Sequence, residues 1–215
     1  MGGARLIGAP LAFSGHNPGI SYVDPIREEE ATAAETEAIE VDRGPLGYVP
    51  NFTSVLARRP AAYLAWKQLM GTIRDGMDLR RFELATLAAA KELRSTYCML
   101  AHGAVLRDRF YEQDELRAIA VDHHAAGLDA TDVAVMDLAG KVADDATAVT
   151  QEDIDRLREL GLSDEEVIDV VLAAALRSFF SKTLDGLGVQ ADARYAEVDA
   201  GLRDALVVGR PIADA

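Results

Sequence analysis

Three residues of the chain have side chains that could form a proton relay. Cys98 is the only cysteine, and His102 follows it by four positions. Residues four apart on a helix lie on the same face, so the imidazole would stand about one turn from the thiol. An imidazole can accept the thiol proton, and the thiolate is the reactive form of cysteine. Glu83, upstream in an apolar stretch, adds a carboxylate. Together these residue types indicate nucleophilic thiol chemistry with acid–base assistance.

The relay requires a turn between Glu83 and Cys98. On one straight helix the two residues would be about 22 Å apart, at roughly 1.5 Å per residue. We therefore predict that the chain reverses at residues 94–96, with Ser95 as the N-cap of the second helix. Cys98 would then lie in the first turn of that helix, where the positive end of the helix dipole favours an anion. Tyr97 is predicted to be a core residue with a hydroxyl able to donate a hydrogen bond at the site.

Each of these residues also has an ordinary structural explanation. A lone cysteine is often buried and inert, and a glutamate near a helix start is favourable on electrostatic grounds alone. The Cys-x-x-x-His spacing lacks a third convergent ligand, so we predict no metal at this site. His123 and His124 are adjacent and could not face one direction on a helix; with Asp122 they are expected in a solvated loop rather than as ligands. Because no glycine-rich phosphate loop follows a strand, no cofactor is expected.

Composition limits the partners and the compartment. The chain has 215 residues, 49% of them apolar, which is enough for a substantial core. It carries 36 acidic and 22 basic residues, a formal net charge of -14, which disfavours nucleic acid and anionic membranes. One cysteine excludes a disulfide within the chain and favours a reducing compartment. With no signal-peptide pattern and no membrane-length apolar stretch, we predict a soluble cytoplasmic protein.

The pattern of apolar residues and caps predicts an all-α fold. Asp78, Thr150 and Ser163 are candidate N-caps, and Glu166 completes a capping box with Ser163. No stretch shows the sustained alternation of a strand. The predicted helices cover residues 27–41, 60–73, 79–93, 96–111, 114–121, 131–142, 150–161 and 163–186.

Three intervals are predicted along the chain. Residues 1–44 form an N-terminal arm and a short helix, 45–200 form the helical domain, and 201–215 form a C-terminal tail. The helix over 27–41 is expected to end at Gly44-Pro45. Glycine and proline are dense in residues 1–25, which argues against a packed element. We expect this arm to embrace a neighbouring subunit.

The segment from Glu83 to His102 resembles the active-site signature of the alkylhydroperoxidase D-like (AhpD-like) / carboxymuconolactone decarboxylase superfamily. In its peroxidase branch a glutamate precedes a Cys-x-x-Cys by a dozen residues, and a histidine follows the second cysteine by four. Here Glu83 precedes Ser95 by twelve residues, and His102 follows Cys98 by four. Flanking segments are also similar to the "peroxidase-related" members: Val49-Pro50-Asn51-Phe52, the helix after Pro60, 149–166 and 180–189. The resemblance covers roughly residues 45–195 and implies an AhpD-like helical bundle that assembles as a homo-oligomer: a dimer, trimer or hexamer.

The chain departs from the peroxidase branch at one position. Ser95 stands where that branch has its first cysteine, which resolves the oxidised second cysteine as a disulfide. Cys98 matches the second, peroxide-attacking cysteine. Because serine cannot form a disulfide, turnover would need an external thiol or a cysteine from another protein. The resemblance therefore implies a one-cysteine thiol peroxidase or antioxidant protein that takes a small-molecule hydroperoxide and an external thiol reductant.

Two alternatives stay open from the sequence. In the decarboxylase branch, Glu83 and His102 would act as acid and base on a small carboxylated ring, with Cys98 a bystander. The candidates for a carboxylate clamp in that case are the nearby Arg80, Arg81 and Arg94. The other alternative is a non-catalytic helical oligomer, such as a redox sensor or a scaffold.

Overall fold

The computed structural model describes residues 19–214 and confirms the predicted all-α class. Within this range the chain forms ten α-helices, and its only β-type pairing is an isolated parallel bridge between Ala191 and Ile212. The helices are α1 (Ala33–Leu46), α2 (Asn51–Leu56), α3 (Pro60–Gly76), α4 (Leu79–Glu92), α5 (Thr96–Arg109), α6 (Gln113–Val121), α7 (Ala130–Asp145), α8 (Gln151–Glu159), α9 (Asp164–Gly186) and α10 (Ala200–Leu206). None of the helices described is both long enough and apolar enough to cross a bilayer.

Three of the N-cap residues predicted from the sequence, Asp78, Thr150 and Ser163, cap their helices through their side chains. The Asp78 carboxylate accepts a hydrogen bond from the Arg81 backbone N–H at 3.0 Å. Thr150 and Ser163 each form a reciprocal capping box at the start of α8 and α9. These contacts satisfy backbone donors that a helix start otherwise leaves without partners.

Three elements differ from the sequence prediction. Helix α1 continues through Gly44-Pro45 to Leu46, and Gly47 ends it in the left-handed conformation with φ of 75°. Helices α2 and α10 were not predicted; both are short, and short segments carry a weak periodic signal. The interval predicted as a C-terminal tail begins inside α10, where Leu202 and Leu206 are buried. The boundaries 1–44, 45–200 and 201–215 stay predictions.

The N-terminal arm lies largely outside the described residues, which begin at residue 19. Its described end runs beside residues 187–190 of the same chain. The Gln190 N–H donates to the Ile20 carbonyl at 2.9 Å, and the Tyr22 N–H donates to the Leu187 carbonyl at 2.8 Å. The expected embrace of a neighbouring subunit by this arm stays a prediction.

Helix α4 is the centre of the bundle. It packs against α5, α7 and α9, and its residues 82–90 are all buried. A helix enclosed by neighbours in this way has no solvent-facing stripe over these residues, which explains why residues 84–90 are alanine and leucine apart from Thr86. Glu83 enters this buried stretch and is 4% exposed. A carboxylate in such surroundings needs a specific partner.

The chain reverses between α4 and α5 at the predicted place. Arg94 adopts φ of 53°, a conformation that non-glycine residues rarely take, and the Ser95 N–H donates to the Ala90 carbonyl at 2.9 Å. The C-terminal segment 208–209 covers this turn. The Gly209 N–H donates to Thr96 Oγ1 at 2.9 Å, and a Cβ at Gly209 would lie 1.9 Å from the Arg94 carbonyl oxygen. Only glycine fits this approach.

We expect Gly209→Ala to lower the free energy of unfolding by about 1–3 kcal/mol, because the new methyl must push the segment off the turn. Gly71→Ala is the matched control. Gly71 lies inside α3 with nothing within 4 Å of the added Cβ, so this change should stabilise by about 0.5–1 kcal/mol. Chemical denaturation of the two variants measures both effects. Equal stabilities of Gly209→Ala and the parent would show that residues 208–209 do not pack against the turn at Arg94.

Candidate active site

Three helices supply the side chains of the candidate site. Glu83 lies in the first turns of α4, Cys98 and His102 lie on α5, and Arg177 and Ser181 lie on α9. Cys98 is the third residue of α5, as predicted, with Ser95 at the N-cap position. The positive end of the α5 dipole therefore lies close to the sulfur.

Glu83 and His102 form the contact that the predicted turn allows. Glu83 Oε2 lies 2.5 Å from His102 Nδ1. A carboxylate on Nδ1 favours the tautomer in which that nitrogen carries the proton, so Nε2 is left as the basic atom. This pair is the acid–base half of the predicted relay.

The sulfur of Cys98 takes its hydrogen bonds from α9 instead of from His102. Arg177 Nη1 donates to Sγ at 3.3 Å, and Ser181 Oγ donates at 3.2 Å. No hydrogen bond joins Sγ to His102 among residues 19–214, although the two side chains leave the same face of α5. Cys98 itself is 2% exposed. Two of the three predicted relay members are thus in contact, and the sulfur has two donors that the sequence did not indicate.

Arg177 connects the two halves of the site. Its residue surface is 2% exposed, and no carboxylate of the described residues lies within 4.0 Å of its guanidinium nitrogens. The guanidinium carbon lies 5.5 Å from the Phe180 ring centroid, a cation–π contact. Arg177 Nε is buried without a hydrogen-bond partner in the part of the chain described. A buried cation in this situation is best compensated by an anion, and the Cys98 sulfur is the group in contact.

His102 is held toward its neutral form. Burial lowers the pKa of His102 below its ordinary value, and the positive charge of Arg177 lowers that pKa further. The Glu83 carboxylate opposes both effects by its charge and its hydrogen bond. A neutral imidazole at neutral pH can accept a proton, as a general base must.

Ser95 and Tyr97 do not take the supporting contacts expected of them. The Ser95 hydroxyl makes no capping hydrogen bond and has no partner within 3.5 Å among the described residues. Burial raises the pKa of Asp185, and the nearby Ser95 side chain partly offsets this. Tyr97 is buried as predicted, but its hydroxyl donates to Asp192, away from Cys98 and His102. The reason is its position on α5, which turns its ring toward Phe52.

The three arginines named as candidates for a carboxylate clamp make contacts outside the site. Arg80 pairs with Asp132, Arg81 lies 3.5 Å from Glu166, and Arg94 donates to a backbone carbonyl at 3.3 Å. The arginine that reaches the site is Arg177. Its signal in the sequence was a charged residue inside the otherwise apolar stretch of α9, a placement that requires a buried partner.

We expect the pKa of His102 to move in opposite directions in two variants. Arg177→Gln should raise it, because a nearby positive charge is removed, and Glu83→Gln should lower it, because the stabilising carboxylate is lost. Titration of the imidazole C–H resonances by NMR, with the His102→Gln spectrum for assignment, measures both shifts. Shifts of the same sign in both variants would contradict this electrostatic arrangement.

The same lowered pKa sets the direction of one contribution to stability. At pH values between the lowered pKa of His102 in the folded chain and its pKa of about 6.5 in the unfolded chain, the unfolded chain binds more protons than the folded chain. The contribution of His102 to the free energy of unfolding therefore falls as the pH decreases below about 6.5. Thermal unfolding from about pH 7.5 to 5.5 should therefore show a smaller loss of melting temperature in His102→Gln than in the parent. An identical loss in both proteins would contradict a buried, neutral His102.

Comparisons with known proteins bear on the fold. No protein-family model matches the chain, and no curated protein is significantly similar to it. Solved structures do match. An uncharacterized peroxidase-related protein from Ralstonia eutropha, described as an alkylhydroperoxidase AhpD core, has a TM-score of 0.75 and 23% identity over 82% of this chain and 94% of its own. A peroxidase-related protein from a Silicibacter species has a TM-score of 0.70 and 19% identity over 86% and 98%.

A third similar structure is that of a debrominase. It is a cysteine-to-alanine variant of the debrominase Bmp8 in complex with 2,3,4-tribromopyrrole, with a TM-score of 0.67 and 14% identity over 85% of this chain and 94% of its own. At such identities the likeness shows the fold. The chain therefore has the AhpD-like helical fold, as its resemblance to that superfamily predicted.

Proposed function

We propose that the chain is a one-cysteine thiol peroxidase that reduces hydroperoxides through Cys98 and is regenerated by an external thiol. The observation that carries the proposal is the environment of the Cys98 sulfur. A buried guanidinium and a hydroxyl both donate to Sγ, at 3.3 and 3.2 Å, at the N-terminal turn of α5. Each of these three features stabilises negative charge on sulfur relative to the neutral thiol.

In the first step the Cys98 thiolate attacks the distal oxygen of the hydroperoxide. The sulfur–oxygen bond forms with the sulfur electron pair, the oxygen–oxygen bond breaks, and its electrons leave with the alkoxide. The alkoxide takes a proton and departs as the alcohol, or as water when the substrate is hydrogen peroxide. The thiol has been oxidised to sulfenic acid and the peroxide has been reduced.

The Glu83–His102 pair manages the proton in this step. His102 Nε2 accepts the thiol proton before the attack and returns it to the alkoxide afterwards. Glu83 holds the ring by Nδ1 and stabilises the imidazolium that exists between the two transfers. Since no hydrogen bond joins Sγ to His102 among the described residues, a bound water or the substrate itself links them in the proposed mechanism.

The spare donor of Arg177 fits the developing charge. Its Nε has no partner among the described residues, while its Nη1 is engaged with the sulfur. An oxygen bound next to Sγ, first of the peroxide and then of the sulfenate, would accept that N–H. Charge that develops only along the reaction coordinate is stabilised most by a donor already fixed in place.

Substrate reaches the site past His102. Its side chain is 14% exposed, whereas Cys98, Arg177 and Ser181 are each at most 2% exposed. A site whose residues are this little exposed favours hydrogen peroxide and small organic peroxides. The reductant must reach the same sulfur, so we propose a small or flexible thiol; two such thiols return the sulfenic acid to thiol, releasing water and forming their own disulfide. A cytoplasmic setting and a homo-oligomeric assembly belong to this proposal.

We expect Cys98→Ser to abolish thiol-dependent peroxide consumption. His102→Ala should lower its rate by about 100-fold or more, because proton transfer loses its carrier. Arg177→Gln should lower it by about 100- to 1,000-fold, as expected for loss of a fixed donor to developing charge. A coupled assay with a small thiol across pH gives the rates, and trapping of sulfenic acid identifies the oxidised residue.

A matched pair of serines on α9 controls for general damage. Ser181→Ala removes a donor to Sγ and should slow sulfur oxidation, whereas Ser178→Ala removes a hydroxyl that bonds only the Ala174 carbonyl of its own helix. Equal rates in the two variants would argue against the role of Ser181.

Full activity in Cys98→Ser would contradict the peroxidase proposal. It would favour the alternative in which Glu83 and His102 perform acid–base chemistry on a carboxylated ring. If the folded parent forms no sulfenic acid with peroxide, the result favours the alternative of a non-catalytic oligomer.

We expect Ser95→Cys to convert the site to a two-cysteine one. The Ser95 hydroxyl has no close hydrogen-bond partner, so a thiol, which tolerates burial, costs little there. After one equivalent of peroxide the variant should form a 95–98 disulfide, while the parent retains a trappable sulfenic acid. Mass spectrometry of the peptide that contains both positions distinguishes the two products. Persistent sulfenic acid in Ser95→Cys would contradict the equivalence of Ser95 with the first cysteine of the signature.

A further inference from the structure

We propose that His123, His124 and Asp137 form a binding site for a late first-row divalent cation of the Zn²⁺ class. The two histidines follow α6 in the turn that leads to α7, and Asp137 lies on α7. The sequence prediction placed both histidines correctly in a loop. Since they are not on a helix, however, adjacency does not force them apart, and their rings converge on one carboxylate.

The donor atoms are close together. His123 Nε2 lies 2.8 Å and His124 Nε2 lies 2.9 Å from the same oxygen, Asp137 Oδ1. One ligand atom from each residue lies within 4.8 Å of the others. In a tetrahedral zinc site with metal–ligand bonds of about 2.0–2.1 Å, neighbouring ligand atoms are roughly 3.3 Å apart. Each of the two nitrogen–Oδ1 distances needs to lengthen by only a few tenths of an ångström to admit the ion.

A second carboxylate orients one of the rings. Asp122 Oδ1 lies 3.3 Å from His124 Nδ1 and also accepts the His124 backbone N–H at 3.0 Å. A histidine ligand commonly binds metal through one nitrogen while the other nitrogen donates to a carboxylate, which fixes the tautomer. Asp122 fills that outer role, so His124 presents Nε2 to the cation. This arrangement is more specific than a group of surface acids.

The two nearby lysines do not compete for the carboxylate. Lys141 Nζ is 2.6 Å from Asp153 Oδ2, and Lys91 Nζ donates to the Val121 carbonyl at 2.7 Å. The ligand set lines a cleft of about 300 Å³ that also contains Glu92 and Asp144. Three protein ligands facing such a cleft leave a fourth position for water or a small anionic ligand.

Two histidines and one carboxylate select the class of cation. Imidazole nitrogen suits Zn²⁺, Cu²⁺, Ni²⁺ and Co²⁺, whereas Mg²⁺ and Ca²⁺ prefer sites made wholly of oxygen. The formal net charge of -14 adds a general attraction for cations. The site uses none of the residues assigned to peroxide reduction, so the two proposals stand separately.

The test is a Zn²⁺ titration of the full, tag-free chain after removal of metal with a chelator. We expect one equivalent to bind in competition with a chromophoric chelator. His123→Gln, His124→Gln and Asp137→Asn should each weaken binding at least about tenfold. Asp144→Asn is the matched control, since it removes an acid from the same helix and cleft without touching the ligand set; it should leave the affinity within about twofold. Circular dichroism verifies that each variant is folded.

Cobalt separates this site from the only thiol. Co²⁺ bound by nitrogen and oxygen should give visible d–d bands without the intense ultraviolet charge-transfer band of a cobalt thiolate. The same spectrum in Cys98→Ser would support the site. Absence of stoichiometric Zn²⁺ binding, unchanged affinity in all three ligand variants, or a thiolate band that disappears in Cys98→Ser would each overturn it.

Discussion

The reversal of the chain at Arg94 is the constraint on which the site depends. A continuous α4–α5 helix would leave Glu83 and Cys98 about 22 Å apart. The left-handed conformation of Arg94 costs roughly 1–2 kcal/mol for a non-glycine residue. The surrounding contacts offset that cost: the Ser95 N–H reaches back to α4, and Gly209 packs against the Arg94 carbonyl. The turn is held in place by contacts from both sides.

Arg177 sets the electrostatics of what the turn assembles. A buried guanidinium without a carboxylate partner acts on two groups at once: it favours negative charge on the sulfur that it contacts, and it disfavours positive charge on His102. A neutral imidazole is the form that can accept the thiol proton in the proposed mechanism. Glu83 acts in the opposite sense and raises the pKa of His102 by its charge and its hydrogen bond. Arg177 and Glu83 therefore shift the pKa of His102 in opposite directions.

The features that the sequence predicted are those determined by residues close together in the chain. Helix class, the caps at Asp78, Thr150 and Ser163, the turn before α5, and the pairing of Glu83 with His102 follow from spacing and N-cap chemistry. The donors to the sulfur did not follow, because Arg177 and Ser181 are some eighty residues from Cys98 and reach it only by packing of α9 on α4. The convergence of His123 and His124 was missed for a different reason: a turn can aim adjacent side chains together, and no periodicity describes a turn.

The packing of Gly209 against the α4–α5 turn has a consequence for biosynthesis. The turn lies near the middle of the chain, yet one of the segments that cover it is 113 positions further on, as counted by the Gly209–Thr96 hydrogen bond. Chains emerge from the ribosome at about 5–20 residues per second. For several seconds, therefore, a nascent chain contains Cys98 but does not yet contain Gly209, which packs against the turn. During that interval the turn that brings Glu83 toward His102 lacks one of the contacts that hold it in the folded chain.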